Sequence, residues 1–172
     1  MKPMRRQAKF TVLIVGEGDA EVALLRHLKA IYVQRGSGIA VTIKNANGKG
    51  AGHVIDVTRR QAQIAAFDQK AALFDTDTDW ADRVKKSARE AKVVVLPCEP
   101  CVEAVLLSVH GHAVHGKSTD QMKRDFERHF GHPAHQQQVY GNHFPQERLC
   151  ATAPAPIPTI IALMTTIKKI AA

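Results

Sequence analysis

Acidic side chains stand directly behind apolar runs at three places in this chain. Glu17 and Glu21 follow Phe10–Val15, within Gly16-Glu17-Gly18-Asp19-Ala20-Glu21. Asp75, Asp77 and Asp79 follow Ala71–Phe74, and Glu99 follows Val93–Leu96 through Pro97-Cys98. Carboxylates brought together repel one another, and the cluster stays ionised only when a cation offsets it. An oxygen-only donor set suits Mg²⁺ or Mn²⁺, which take one or two carboxylates and keep waters for a phosphate-bearing substrate. Asp75 and Asp77 are two residues apart, so in an extended segment both side chains project to one side. Glu17 would join them from a neighbouring strand end. Plainer roles compete with this one. Asp79 immediately precedes a helical pattern and fits its N-cap. Glu21 fits an acid favoured in a first helical turn by the dipole, and Asp75 and Asp77 also fit ordinary loop acids.

The elements that must position these acids are legible as periodicity. Four apolar runs, Phe10–Val15, Ile39–Ile43, Ala71–Phe74 and Val93–Leu96, are short and largely unalternating, as in strands buried on both faces of a parallel sheet. Helical stripes separate them: Val22, Leu25, Leu28 and Tyr32; a weaker stretch from His53 to Phe67; and Trp80, Val84 and Ala88. A helical-looking Glu103–Val109 follows. The pattern predicts an α/β fold with a mainly parallel four-stranded sheet flanked by helices. In such sheets sites form outside the carboxyl ends of the strands, where the acids fall. Beyond about His110 the character changes: seven of nine histidines lie between His110 and His143, and the clear helix there is Asp120–Phe130. Pro154, Pro156 and Pro158 then lead into a last amphipathic helix, Thr159–Ile170. The organisation expected is a basic arm over residues 1–9, an α/β core over 10–110, and a His-rich segment with C-terminal helices packed on that core over 111–172.

Composition bounds the setting. The chain has 172 residues, and 24 Lys and Arg against 16 Asp and Glu leave a formal charge of +8. One domain of this size needs no disulfide staple. No apolar run approaches the roughly 18 residues of a membrane span, so no membrane partner is expected. The basic start followed by Phe10–Val15 is too short in its apolar part, and too acidic after it, for a signal peptide. Three cysteines cannot all pair within one chain, and a reducing cytoplasm is expected. A positive balance points to an acidic partner, of which nucleic acid is the usual one. Lys49, in the Gly-rich Gly48-Lys49-Gly50-Ala51-Gly52, is the candidate phosphate contact, although a solvated loop lysine is the plainer reading; this segment lacks P-loop spacing. Cys98-Glu99-Pro100-Cys101 has zinc-like spacing, but the later histidines supply no matching second pair.

The order of these motifs resembles the Toprim superfamily. A strand, then Glu17-Gly18-x-x-Glu21 opening a helix, then a strand ending in Asp75-x-Asp77, is similar to its metal-binding module. Val15-Gly16-Glu17-Gly18-Asp19-Ala20-Glu21 looks like the strand and E-G-x-T-E of RloB-like and OLD-family proteins, with Ala20 where Thr is usual. Glu99-Pro100-Cys101-Val102-Glu103-Ala104-Val105-Leu106-Leu107 resembles the RloB-like N-P-C-F-E-x-W-L-L, with Glu99 and Val102 as departures. Pro158-Thr159-x-x-x-Leu163 is similar to the final helix of the same group.

The resemblance implies Glu17 as first-motif acid and catalytic candidate, Asp75 and Asp77 as metal-binding acids, and Glu21 and Glu103 as accessory acids. It implies a nuclease using Mg²⁺ (or Mn²⁺) to cleave phosphodiester bonds, with DNA ahead of RNA as substrate, in bacterial phage defence or restriction. A partner ATPase or restriction-system protein belongs to the same expectation. The alternative is a non-catalytic nucleic-acid-binding or regulatory module that kept the fold. A receiver-like phosphate-transfer domain fits less well, because Lys92 precedes its strand where that chemistry wants a lysine after one.

Overall fold

A computed structural model describes residues 8–172; residues 1–7, most of the expected basic arm, lie outside the described residues. The elements run β1 (Phe10–Gly16), α1 (Asp19–Tyr32), β2 (Ile39–Asn45), α2 (Gly50–Ile64), β3 (Gln69–Asp75), α3 (Asp82–Glu90), β4 (Val94–Cys98), α4 (Val102–Val109), α5 (Thr119–Phe130), α6 (Gln137–His143) and α7 (Ile157–Thr165). The four strands form one parallel sheet in the order β2-β1-β3-β4, so the fold is α/β and Rossmann-like.

Alternation through the sheet explains why the strands read as continuous apolar runs. Val12 and Ile14 of β1, with Ala71 and Leu73 of β3, face a core shared with α1, α4, α5, α6 and α7. Leu13 and Val15, with Ala72 and Phe74, face a second core under α2 and α3. Both faces are covered, as a parallel sheet requires. The chain steps from β1 outward to β2, then returns across β1 to β3, so the strand order reverses between β1 and β3. That reversal opens a crevice at their carboxyl ends, where open α/β sheets place their sites.

The C-terminal segment joins the first of these cores rather than forming its own. Phe126, Phe130, Tyr140, Phe144, Ile160 and Leu163 are buried together with Leu24, Leu25 and Leu28 of α1. Side chains of α1 stitch the two halves: a His27 ring nitrogen is 2.7 Å from the Phe144 carbonyl, and the Tyr32 hydroxyl donates to the Leu149 carbonyl at 2.6 Å. The Tyr140 hydroxyl donates to the Ala134 carbonyl at 2.8 Å, holding the α5–α6 connection against its helix. Among the described residues no helix is long and apolar enough to cross a membrane.

Local differences from the sequence reading have simple causes. α2 starts at Gly50, three residues before the expected His53, because Lys49 and Gly50 turn the chain with φ of 75° and 79°. α6 carries no apolar period long enough to announce it. α7 ends at Thr165, after which the Ile170 N–H donates to Gln69 Oε1 at 2.8 Å and ties the segment to the first residue of β3. The His-rich stretch is partly structural: the His110 ring packs against Phe130 and Phe144 at 4.9 and 5.0 Å, and His112 stacks on His129 at 3.9 Å.

Candidate functional site

The acidic residues sit where helices begin. β1 ends at Gly16, and a Cβ there would approach Glu21 Cβ to 3.0 Å and Val22 Cγ2 to 3.1 Å. Glycine therefore lets the first turn of α1 fold back against the strand end. Glu21 then accepts the Gly18 N–H through Oε2 at 2.8 Å, satisfying one of the donors a helix start leaves open. Glu21 is both a cap and a member of the cluster.

Glu17 ties three elements together. Its Oε1 accepts the N–H of Gly50, the first residue of α2, at 3.0 Å, and its Oε2 accepts the Asp75 N–H at 3.1 Å. Its own N–H donates to the Leu73 carbonyl at 2.9 Å, and the Gly48 N–H donates to the Glu17 carbonyl at 2.7 Å. Asp75 closes β3, and its Oδ1 accepts the N–H of Val102, the first residue of α4, at 2.9 Å. Glu103 follows on the same turn; it is buried, and its Oε2 has no hydrogen-bond partner. The N-termini of α1, α2 and α4 thus point at carboxylates, the arrangement the helix dipole favours.

Glu17, Glu21, Asp75 and Glu103 line one cleft of about 410 Å³, together with Asp19 and Gly48 and with Lys123, Glu127, Pro133, Ala134 and His135 from the C-terminal segment. Burial drives the Asp75 carboxyl upward, and the charges of Glu21, Glu103, Asp77 and Glu17 add to that, raising it to about 9. Glu21 is raised too, chiefly by burial, against the hydrogen bonds it accepts. Lys123 responds in the complementary sense: burial pulls its pKa down, and Glu103 and Asp75 more than reverse this. Without a cation, Asp75 holds a proton at neutral pH.

The remaining sequence candidates lie near the cleft but do not line it. Asp77 is exposed and accepts the Thr119 hydroxyl at 2.9 Å, which joins it to the start of α5. Lys49 is exposed at the N-cap of α2, while its neighbour Gly48 reaches the cleft. Asp79 does not cap α3, whose N-cap is Ala81. Its Oδ2 instead accepts the Gly52 N–H at 3.2 Å, at the start of α2, because the segment after β3 runs back over that helix end. Cys98 and Cys101 are buried thiols whose pKa values burial pushes up, that of Cys101 to about 12, so neither is a ready thiolate ligand.

Lys123, Glu127 and His135 were invisible to the sequence reading. Lys123 and Glu127 are four apart on α5, which marks a shared face. Nothing local says that this face lies over the strand ends.

The donor chemistry fits a hard divalent cation: the acids offer oxygen only, and one buried oxygen, Glu103 Oε2, is without a partner. The side chains do not form a closed cage. Among the described residues no three His, Cys, Asp or Glu stand in a metal-holding arrangement. Fold and site together define an α/β protein with a Rossmann-like parallel sheet and an acidic cleft at its carboxyl edge. No protein-family model, curated protein or solved structure matches the chain.

Proposed function

We propose that this protein is a Mg²⁺-dependent nuclease of the Toprim type, cleaving phosphodiester bonds of nucleic acid. One observation carries the reading: four carboxylates from three strand-to-helix junctions line one cleft at the switch point, where burial and the neighbouring acids raise Asp75 to about 9. Glu21, Asp75 and Glu103 are the residues that would hold the cation, with Glu17 and Asp77 beside them. When bound, a divalent ion supplies Lewis-acid polarisation of a phosphate and a water of lowered pKa. Asp75 must release its proton to serve as a ligand. Glu17, oriented by two backbone N–H groups, is the candidate acceptor for the proton of an attacking water. Lys123 brings a positive charge for a phosphate to a cleft lined by several carboxylates. The setting in bacterial phage defence or restriction, in the cytoplasm, rests on the sequence resemblance.

The test is incubation of the purified protein with plasmid, linear DNA and RNA in Mg²⁺, Mn²⁺ or chelator. Cleavage is expected with either metal and absent in chelator, and Glu17→Gln is expected to slow it roughly 10²–10⁴-fold while nucleic-acid binding persists. Chelator-insensitive cleavage would refute the mechanism. The second reading is a non-catalytic nucleic-acid-binding or regulatory module working with a partner ATPase. Binding without cleavage in any metal would select it.

A further inference from the structure

Part of the cation surplus gathers on α3, away from the acidic cleft. Arg83, Lys85, Lys86 and Arg89 occupy its solvent side and Lys92 lies just beyond its end, against Asp82 and Glu90. Lys85 pairs with Asp82 at 3.3 Å and Lys86 with Glu90 at 3.9 Å, through exposed side chains. Pairs of that kind hold weakly and exchange readily for another anion. Beside them, along the β4 edge of the sheet, lies a depression of about 260 Å³ whose walls include Trp80, Lys85, Ala88, Arg89, Val93 and Val95. The Trp80 ring rests on Phe74, with centroids 4.8 Å apart, and is only partly buried. Over the ring stands the Lys85 ammonium, 5.6 Å from its centroid. The indole is thus anchored from within by Phe74 and covered on its outer side by the Lys85 side chain.

An anchored aromatic surface with an apolar floor and cations on its rim matches the chemistry of single-stranded nucleic-acid binding, where bases stack and phosphates meet Lys and Arg. A duplex keeps its base faces stacked inside and cannot offer one to an indole. Trp80 also lies three residues beyond Asp77, so its Cα is at most about 11 Å from that of Asp77. A strand resting there is within a short reach of Asp77.

We propose that Trp80, Lys85 and Arg89 form a binding site for single-stranded nucleic acid, with a base stacked on the indole and the two cations on flanking phosphates. This deepens the nuclease reading by naming the substrate class, and it rests on that reading for its biological sense. Trp80 is the chain's single tryptophan, so its fluorescence reports on the site directly.

The experiment titrates the full chain, in chelator, with a 12-nucleotide oligothymidine and with a duplex of equal length. Saturable quenching by the single strand is expected, with the duplex at least tenfold weaker. Lys85→Ala with Arg89→Ala, at a half-buried and an exposed position of α3, is expected to lower the slope of log K against log salt by about 1.4. Trp80→Ala, followed by anisotropy of a labelled strand and checked by thermal melting, is expected to weaken binding about 5- to 150-fold. Unquenched fluorescence at saturating oligonucleotide, or equal affinity for the duplex, overturns the site. Cleavage without quenching removes this site and leaves the nuclease standing; quenching without cleavage in any metal does the reverse.

Discussion

Asp75 concentrates the problem that the cleft poses at the level of single residues. Its carboxyl titrates near 9 in the folded chain and near 3.8 when free, because burial and four neighbouring acids disfavour its charge. The folded state therefore keeps a proton that the unfolded chain has released. The corresponding stability is fully present below about pH 3.8 and is lost as pH rises through about 9. Asp75→Asn retains an Oδ1 acceptor for the Val102 N–H and removes the titration. In chelator at pH 8 the variant is expected to melt above the wild type, by at least about 2–4 °C if 1 kcal/mol is recovered. Thermal melts from pH 5 to 9 check this, and parallel curves for the two proteins would contradict it. Gly50 makes a second residue-scale case. Its φ is +79°, and a Cβ would stand 2.6 Å from Asp79 Oδ1. Gly50→Ala is expected to destabilise by more than about 1 kcal/mol, read from denaturant midpoints, and to release Glu17 from the start of α2.

Among the elements, α5 matters most to the site although it belongs to the C-terminal segment. Ser118 caps it, accepting the Gln121 N–H at 3.3 Å while Gln121 Oε1 accepts the Ser118 N–H at 2.8 Å. Met122, Phe126 and Phe130 bury one face in the core, and this turns Lys123 and Glu127 toward the cleft. Ser118→Ala is expected to cost about 1 kcal/mol. Phe126→Ala is expected to cost about 3–5 kcal/mol, since the ring is fully buried. If the cleft works as proposed, both variants also lose activity in proportion to the fraction of α5 undocked, measurable by nuclease assay beside urea melts. A full-rate enzyme with α5 undocked would show that the helix is dispensable to the site.

At the scale of the whole molecule, two opposed titrations shape the pH profile. His110, wedged between Phe130 and Phe144, has its pKa lowered mainly by burial. Stability from its neutral form is present above its free value of about 6.5 and is lost as pH falls through the lower folded value. Without metal, His110 adds stability as pH rises toward 6.5 while Asp75 removes it from about pH 3.8 upward, so the two oppose each other below 6.5 and the loss from Asp75 is unopposed by His110 above it. A bound divalent cation supplies the charge that the cleft lacks. At about 100 times its dissociation constant it is expected to stabilise the wild type by about 2.7 kcal/mol at pH 8, with a much smaller shift for Asp75→Asn. Equal Mg²⁺-induced shifts in the two proteins would place the cation elsewhere. Charge is also separated across the fold, with acids at the carboxyl edge of the sheet and a cation-rich face on α3.

The strands, α1 and the acids behind them were readable in the sequence because a parallel sheet buried on both faces must be written in short apolar runs. Turns at the carboxyl ends of those runs must follow. Glu17, Glu21 and Asp75 were accordingly recognisable as candidates, whereas Glu103 entered only through the resemblance carried by Glu99–Leu107. The place of Asp79 was not readable, since the plain rule of an acid before a helix gives way when the chain folds back over a different helix end. α6 and the docking of α5 were illegible for a related reason. Their places come from contacts between residues far apart in the chain, such as Thr119 with Asp77 for α5 and Tyr140 with Ala20 for α6. Local pattern decides which residues can be buried and which can carry charge. Only the packed chain decides which of those charges share one low-dielectric cleft, and it is this sharing that raises Asp75 and sets Lys123 beside it.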